Sequence, residues 1–164
     1  KHLTEVREMK DYDIKIRNNS EIRVYGTSDN TISVPCDVKL DADRHNVDID
    51  ILEKTNANIG LPGEAEHIEL NIEDAKLTME GMVFEKCEID AKGSVEVQIT
   101  NVTGSIDINM VGGTAVLKVP SNYSFRTVCE GNGNAVECGA VADPASSNVI
   151  ELNGKNSTLK IEVI

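Results

Sequence analysis

Along this chain apolar and polar residues alternate in short runs. The first are DIKI (13–16), EIRV (21–24), TISV (31–34), DVKL (37–40) and NVDIDI (46–51). Then come HIELNI (67–72), KLTM (76–79), SVEVQI (94–99), SIDINM (105–110), AVLKV (115–119) and TLKIEV (158–163). Aliphatic side chains two residues apart, with a polar residue between them, put one face of an extended strand in a core and the other in water. The intervening stretches NNS, TSDN, LPG, VTG, GNGN and NGKN supply the Gly, Asn, Asp and Pro of tight turns. Spacing suited to a helix occurs only in LTEVREM (3–9). The pattern predicts an all-β protein in a single domain over residues 1–164.

One stretch bears on the architecture. GSVEVQITNVTGSIDINM (93–110) writes Gly-Ser followed by an alternating strand, and then writes it again eleven residues later. Val95, Val97 and Ile99 recur as Ile106, Ile108 and Met110, and a further step reaches Leu117 and Val119. If these segments stack, each layer shelters the aliphatic side chains of the last. The polar positions between them, Glu96, Asp107 and Lys118, would then form an exposed ladder. The expected fold is a β-solenoid of short stacked strands, with a β-sandwich as the alternative.

The run GSVEVQITNVTGSIDINMVGGTAVLKVPSNYSF and the closing NVIELNGKNSTLKIEVI resemble the bacterial "putative adhesin" domains of unknown function, which include toast-rack and auto-transporter adhesin head types. The resemblance covers residues 65–164. It implies a single-stranded right-handed β-helix on or near the cell envelope, and it brings no catalytic residues with it. The glycine rhythm of those domains fades over residues 1–60, where turns such as TSDN and DADRHN take over, so the resemblance implies regular repeats over 65–164 and less regular, capping layers over 1–60.

Composition supports this picture. The chain has no Trp, and its only rings are Tyr12, Tyr25, Tyr123, Phe84 and Phe125, so the core must be built from Val, Ile and Leu. Sixteen basic against twenty-eight acidic residues leave a net charge of −12, which repels phosphate backbones and argues against nucleic acid as a partner. No segment has the length and apolarity of a membrane span. The chain opens on Lys1 rather than Met, from which we expect a segment trimmed of a leader or anchor.

Candidate chemistry is sparse. Cys129 and Cys138 bracket the turn-rich EGNGNAVE, so a disulfide between them is one reading and two thiols the other. Cys36, Cys87 and the three His lack metal-site spacing. DADRHNVDID gathers Asp41, Asp43, Asp48 and Asp50 but lacks the glycine and terminal glutamate of an EF-hand loop. GEAEH (63–67) lacks the paired histidines of a hydrolytic zinc site. Ser105 sits in no nucleophile elbow. Tyr123 and Phe125 form either an internal plug or an exposed platform.

The functional expectation is therefore a non-catalytic, adhesin-like binding or scaffold domain at the bacterial cell envelope or outside the cell. It would use no cofactor or metal, and its partner would be a protein or glycan met through an acidic repetitive surface. The alternatives are a cell-envelope stress sensor binding cationic peptides and an extracellular carbohydrate-binding or carbohydrate-active module. Open β edges also suggest a homodimer.

Overall fold

The computed structural model describes residues 2–5, 11–43, 45–53 and 56–164. It is all-β, with no helix among the described residues. The strands are β1 (His2–Glu5), β2 (Asp11–Ile16), β3 (Glu21–Thr27), β4 (Thr31–Val34), β5 (Lys39–Ala42), β6 (Asn46–Ile51) and β7 (Asn56–Pro62). Two long elements follow, β8 (Glu64–Glu80) and β9 (Val83–Ile99). The rest are β10 (Ser105–Val111), β11 (Thr114–Val119), β12 (Arg126–Glu130), β13 (Ala135–Cys138), β14 (Val149–Lys155) and β15 (Thr158–Val163). All fifteen belong to one sheet. Residues 3–5 of the segment with helical spacing lie in β1, and residues 6–9 fall outside the described residues.

The strands come in pairs separated by a corner, and each pair makes one rung with two faces. The rungs are β6/β7, β2/β3, the two halves of β8, the two halves of β9, β10/β11, β14/β15 and β12/β13, in that spatial order. Every pairing between successive rungs is parallel, unlike the hairpin-paired strands of a sandwich. Two rungs are out of chain order: β14/β15 lies between β10/β11 and β12/β13, and β6/β7 lies outside β2/β3. At that outer end β5 pairs antiparallel with β6, and β4 pairs antiparallel with β1 and β7.

This register corrects the eleven-residue stacking. Ile106, Ile108 and Met110 lie beside Cys87, Ile89 and Ala91, while Val95 and Val97 lie beside Ala115 and Leu117. The vertical step is therefore nineteen residues on one face (89 to 108) and twenty on the other (97 to 117). Segments eleven apart are consecutive strands on different faces, because the chain must turn a corner and return before it can stack on itself. HIELNI and KLTM, separate in the sequence pattern, are two halves of β8, with the register shifting between Glu73 and Ala75.

The aliphatic columns meet inside. Ile49, Ile14, Leu70, Ile89, Ile108 and Leu152 form one in-register row, and Ile22, Leu77, Val97, Leu117 and Ile161 face it from the other strands; all are buried. Branched side chains of equal size suit such a row, since each fills the space above the last without a cavity.

The corner between the faces explains one of the repeated glycines. Backbone φ is positive there at Asn19 (59°), Asp74 (46°), Gly93 (75°), Gly113 (76°), Asn156 (53°) and Gly133 (74°). These are residue types that tolerate the left-handed region. Gly104, the other Gly of the repeat, has a different role. It passes so close to β9 that a Cβ would come within 2.0 Å of the Glu85 carbonyl oxygen.

Candidate functional site

The two outer faces differ in charge, and the difference is created by stacking. On the face built from β5, β6, β2, the first halves of β8 and β9, β10 and β14, directly adjacent positions carry Asp41, Asp48, Asp13, Glu69, Glu88, Asp107 and Glu151. Adjacent strands lie about 4.7–4.9 Å apart, so seven carboxylates form one continuous row. The row ends at Val128 on β12. The next row along the same face reads Asp50, Lys15, Asn71, Asp90, Asn109, Asn153 and Glu130.

Like charges directly opposite one another are unfavourable, and the local chemistry reflects it. Burial, then the nearby Asp48, Asp50 and Asp90, holds the Asp13 carboxyl above its ordinary range despite the opposing Lys15. Glu69 is raised in the same way, by burial and then by Asp13, Glu88 and Asp90. Compensation comes from the flanks. Lys86 Nζ lies 2.8 Å from Asp107 and His67 Nε2 lies 3.6 Å from Glu88. The Asn109 amide donates to Glu88 Oε1 at 3.1 Å and to Asp90 Oδ1 at 3.0 Å, and the Asn153 amide donates to Asn109 Oδ1 at 3.3 Å. These amides tie Glu88 to the neighbouring row without neutralising its charge.

The opposite face is balanced. Its corresponding row is Asn56, Glu21, Lys76, Glu96, Val116, Lys160 and Glu137. An open groove of about 530 Å³ on this face is lined by Glu21, Arg23, Asn58, Lys76 and Thr78 among others, with both signs of charge interleaved.

The expected ladder of Glu96, Asp107 and Lys118 is therefore not one ladder. Asp107 belongs to the acidic face, while Glu96 and Lys118 lie on the balanced face, where their direct neighbours include Val116 and Gln98. Lys118 Nζ reaches Glu96 diagonally at 3.3 Å. Alternation identified which residues face water; it could not say which of them share a face.

Cys129 and Cys138 stand on β12 and β13, beside Leu152 and Ile161, as exposed free thiols. The turn between them links two strands on different faces and leaves them unbridged. Cys87 is wholly enclosed in the core, where burial pushes its thiol pKa up. Asp43 caps its own turn, accepting from the backbone N–H groups of His45 and Asn46 at 2.9 Å each. Ser105 Oγ accepts from the Val149 N–H at 3.0 Å. Tyr123 and Phe125 are buried and stacked with centroids 5.3 Å apart, and the Tyr123 hydroxyl donates to the Gly104 carbonyl at 2.6 Å. They form the internal plug.

No protein-family model and no curated protein matches this chain. Among solved structures it is similar to one described as a "putative cell adhesion protein" from Clostridium sporogenes. The TM-score is 0.62 at 12% identity, over 99% of this chain and 98% of that one. At that identity the likeness is one of fold.

Proposed function

We propose that this is a non-catalytic, adhesin-like binding domain of a bacterial cell envelope, built as a β-solenoid, that engages basic groups of its partner through the acidic face. The observation that carries this reading is the in-register row from Asp41 to Glu151. A row of like charges works against folding, so its concentration on one face, opposite a face whose charges balance, calls for a role outside the fold. The parallel rungs support the solenoid, and the likeness to a cell-adhesion protein supports the adhesive reading. Tyr123 and Phe125 are buried, so these two rings offer no exposed stacking platform for a carbohydrate.

The mechanism follows from rigidity. Carboxylates fixed at strand spacing present a strip of negative potential to which an extended basic segment can bind through many weak contacts, each screened by salt. The test is binding of an oligolysine peptide by fluorescence anisotropy. Affinity is expected to fall steeply between about 0.01 M and 0.15 M salt, as the screening length drops from roughly 30 to 8 Å. The variant Glu69→Gln/Glu88→Gln/Asp107→Asn should lose most of the low-salt affinity, whereas Glu21→Gln/Glu96→Gln on the balanced face should keep it. Equal losses in both variants, or no binding at low salt, would reject the reading.

A further inference from the structure

We propose that two copies of the chain associate through β12, paired antiparallel about a two-fold axis at Val128. This inference is independent of the acidic face's ligand. The strand order ends at β12, which pairs only with β14. The Arg126 N–H donates to the Asn148 carbonyl, so the backbone groups of Arg126, Val128 and Glu130 turn toward β14. Those of Thr127 and Cys129 turn to the open side. An open edge of this kind is a template for another strand.

The sequence of the edge selects the occupant. In an antiparallel pair centred on Val128, Thr127 of one copy lies opposite Cys129 of the second, and these are the residues whose backbone groups are directed outward. The pair therefore makes its hydrogen bonds at 127/129 and 129/127, with Val128 against Val128 in the closely spaced position between them. On the outer surface Arg126 meets Glu130 of the second copy, twice by symmetry. Charged residues ordinarily discourage edge pairing. Here the opposite signs are placed symmetrically about Val128, so this one register converts them into attraction.

Two further observations agree. The acidic row is unbroken from Asp41 to Glu151 and stops at Val128, the position that the two-fold axis would bring against itself. A carboxylate there would face its own copy. On the inner side, Thr127 and Cys129 continue the buried columns of Ile150 and Leu152, yet both are exposed because no rung covers them. A second copy would cover them.

The experiment is sedimentation equilibrium of the full chain over about two decades of concentration. The apparent mass is expected to rise from 17.8 kDa toward twice that value. Arg126→Glu alone and Glu130→Arg alone should each weaken association by about tenfold or more, since each sets like charges opposite one another twice. The double exchange Arg126→Glu/Glu130→Arg should restore it. As a second readout, Val128→Cys in a background with Cys36, Cys129 and Cys138 replaced by Ser should give a disulfide-linked dimer with glutathione disulfide. A chain that stays monomeric throughout, or a dimer indifferent to both charge reversals and to the cross-linking position, overturns the proposal. A dimer of the latter kind would be held through another surface.

Discussion

Asp13 and Glu69 lie directly opposite each other on neighbouring parallel strands, and Asp48 stands on the far side of Asp13. Burial first, and then repulsion from neighbouring carboxylates, make Asp13 and Glu69 hold their protons to higher pH than usual. From this relationship come the first two predictions.

Stability should rise as pH falls from neutrality. Asp13 and Glu69 have folded pKa values above their ordinary values of 3.8 and 4.5, so the native state binds more protons than the unfolded state just above that range. Their unfavourable contribution is therefore full at neutral pH and relieved as pH drops through the raised values. Asp29 and Asp43, whose values are lowered by hydrogen bonds, and Glu80, lowered by Arg23, act in the opposite sense below about pH 4. The expected profile has its maximum on the acid side of neutral. Urea midpoints measured from pH 3 to pH 8 check it, and a maximum at pH 7 or above would contradict it.

Neutralising the middle of the row should stabilise the fold. Asp13→Asn is expected to gain about 0.2–1 kcal/mol at pH 7, the size of a cross-strand charge contact. It should also flatten the acid-side rise. Chemical denaturation at pH 7 and pH 5 gives both quantities, and loss of stability at pH 7 would mean that the row is less strained than its register indicates.

Adjacent glycines should respond differently to alanine. Gly112 and Gly113 both have positive φ, but a Cβ on Gly112 meets nothing within 4 Å, whereas one on Gly113 would lie 2.4 Å from the Gly93 carbonyl oxygen. Gly112→Ala should cost about 1–2 kcal/mol from backbone conformation alone. Gly113→Ala should cost more, because the two rungs must also move apart at the corner. Comparison of the two unfolding free energies tests the stacking of Gly113 on Gly93.

Removing one hydroxyl should loosen the plug. Tyr123→Phe leaves the Gly104 carbonyl without the donor it has at 2.6 Å. The expected loss is about 1–3 kcal/mol, the cost of a buried unsatisfied acceptor. The ring still packs on Phe125, so the fold should be retained, with thermal unfolding at lower temperature and an unchanged far-ultraviolet spectrum.

Much of the fold is legible in the sequence. Residues such as Ile14, Leu70, Ile106 and Ile108 are marked as core by alternation, and the glycines and asparagines around them mark the turns. The candidate site was less legible. Alternation marks Asp107 as exposed, but the eleven-residue step groups it with Glu96 and Lys118. Its true neighbours, Glu88 and Glu151, lie nineteen and forty-four residues away. Glu151 comes from a rung inserted out of chain order, and no local periodicity records such an insertion.

The sequence by itself determined that this chain forms strands, which side of each strand is apolar, and where the backbone must turn. Those are properties of single residues and their immediate spacing, set by side-chain polarity and by which residues tolerate positive φ. Only the tertiary structure decided which strand lies on which, and hence that acidic residues drawn from Asp13 to Glu151 line one face while the other stays balanced. The reason is that parallel aliphatic rungs pack almost equally well in several orders. Their stacking is settled by corner lengths, close glycine approaches and out-of-order rungs acting together over the whole sheet.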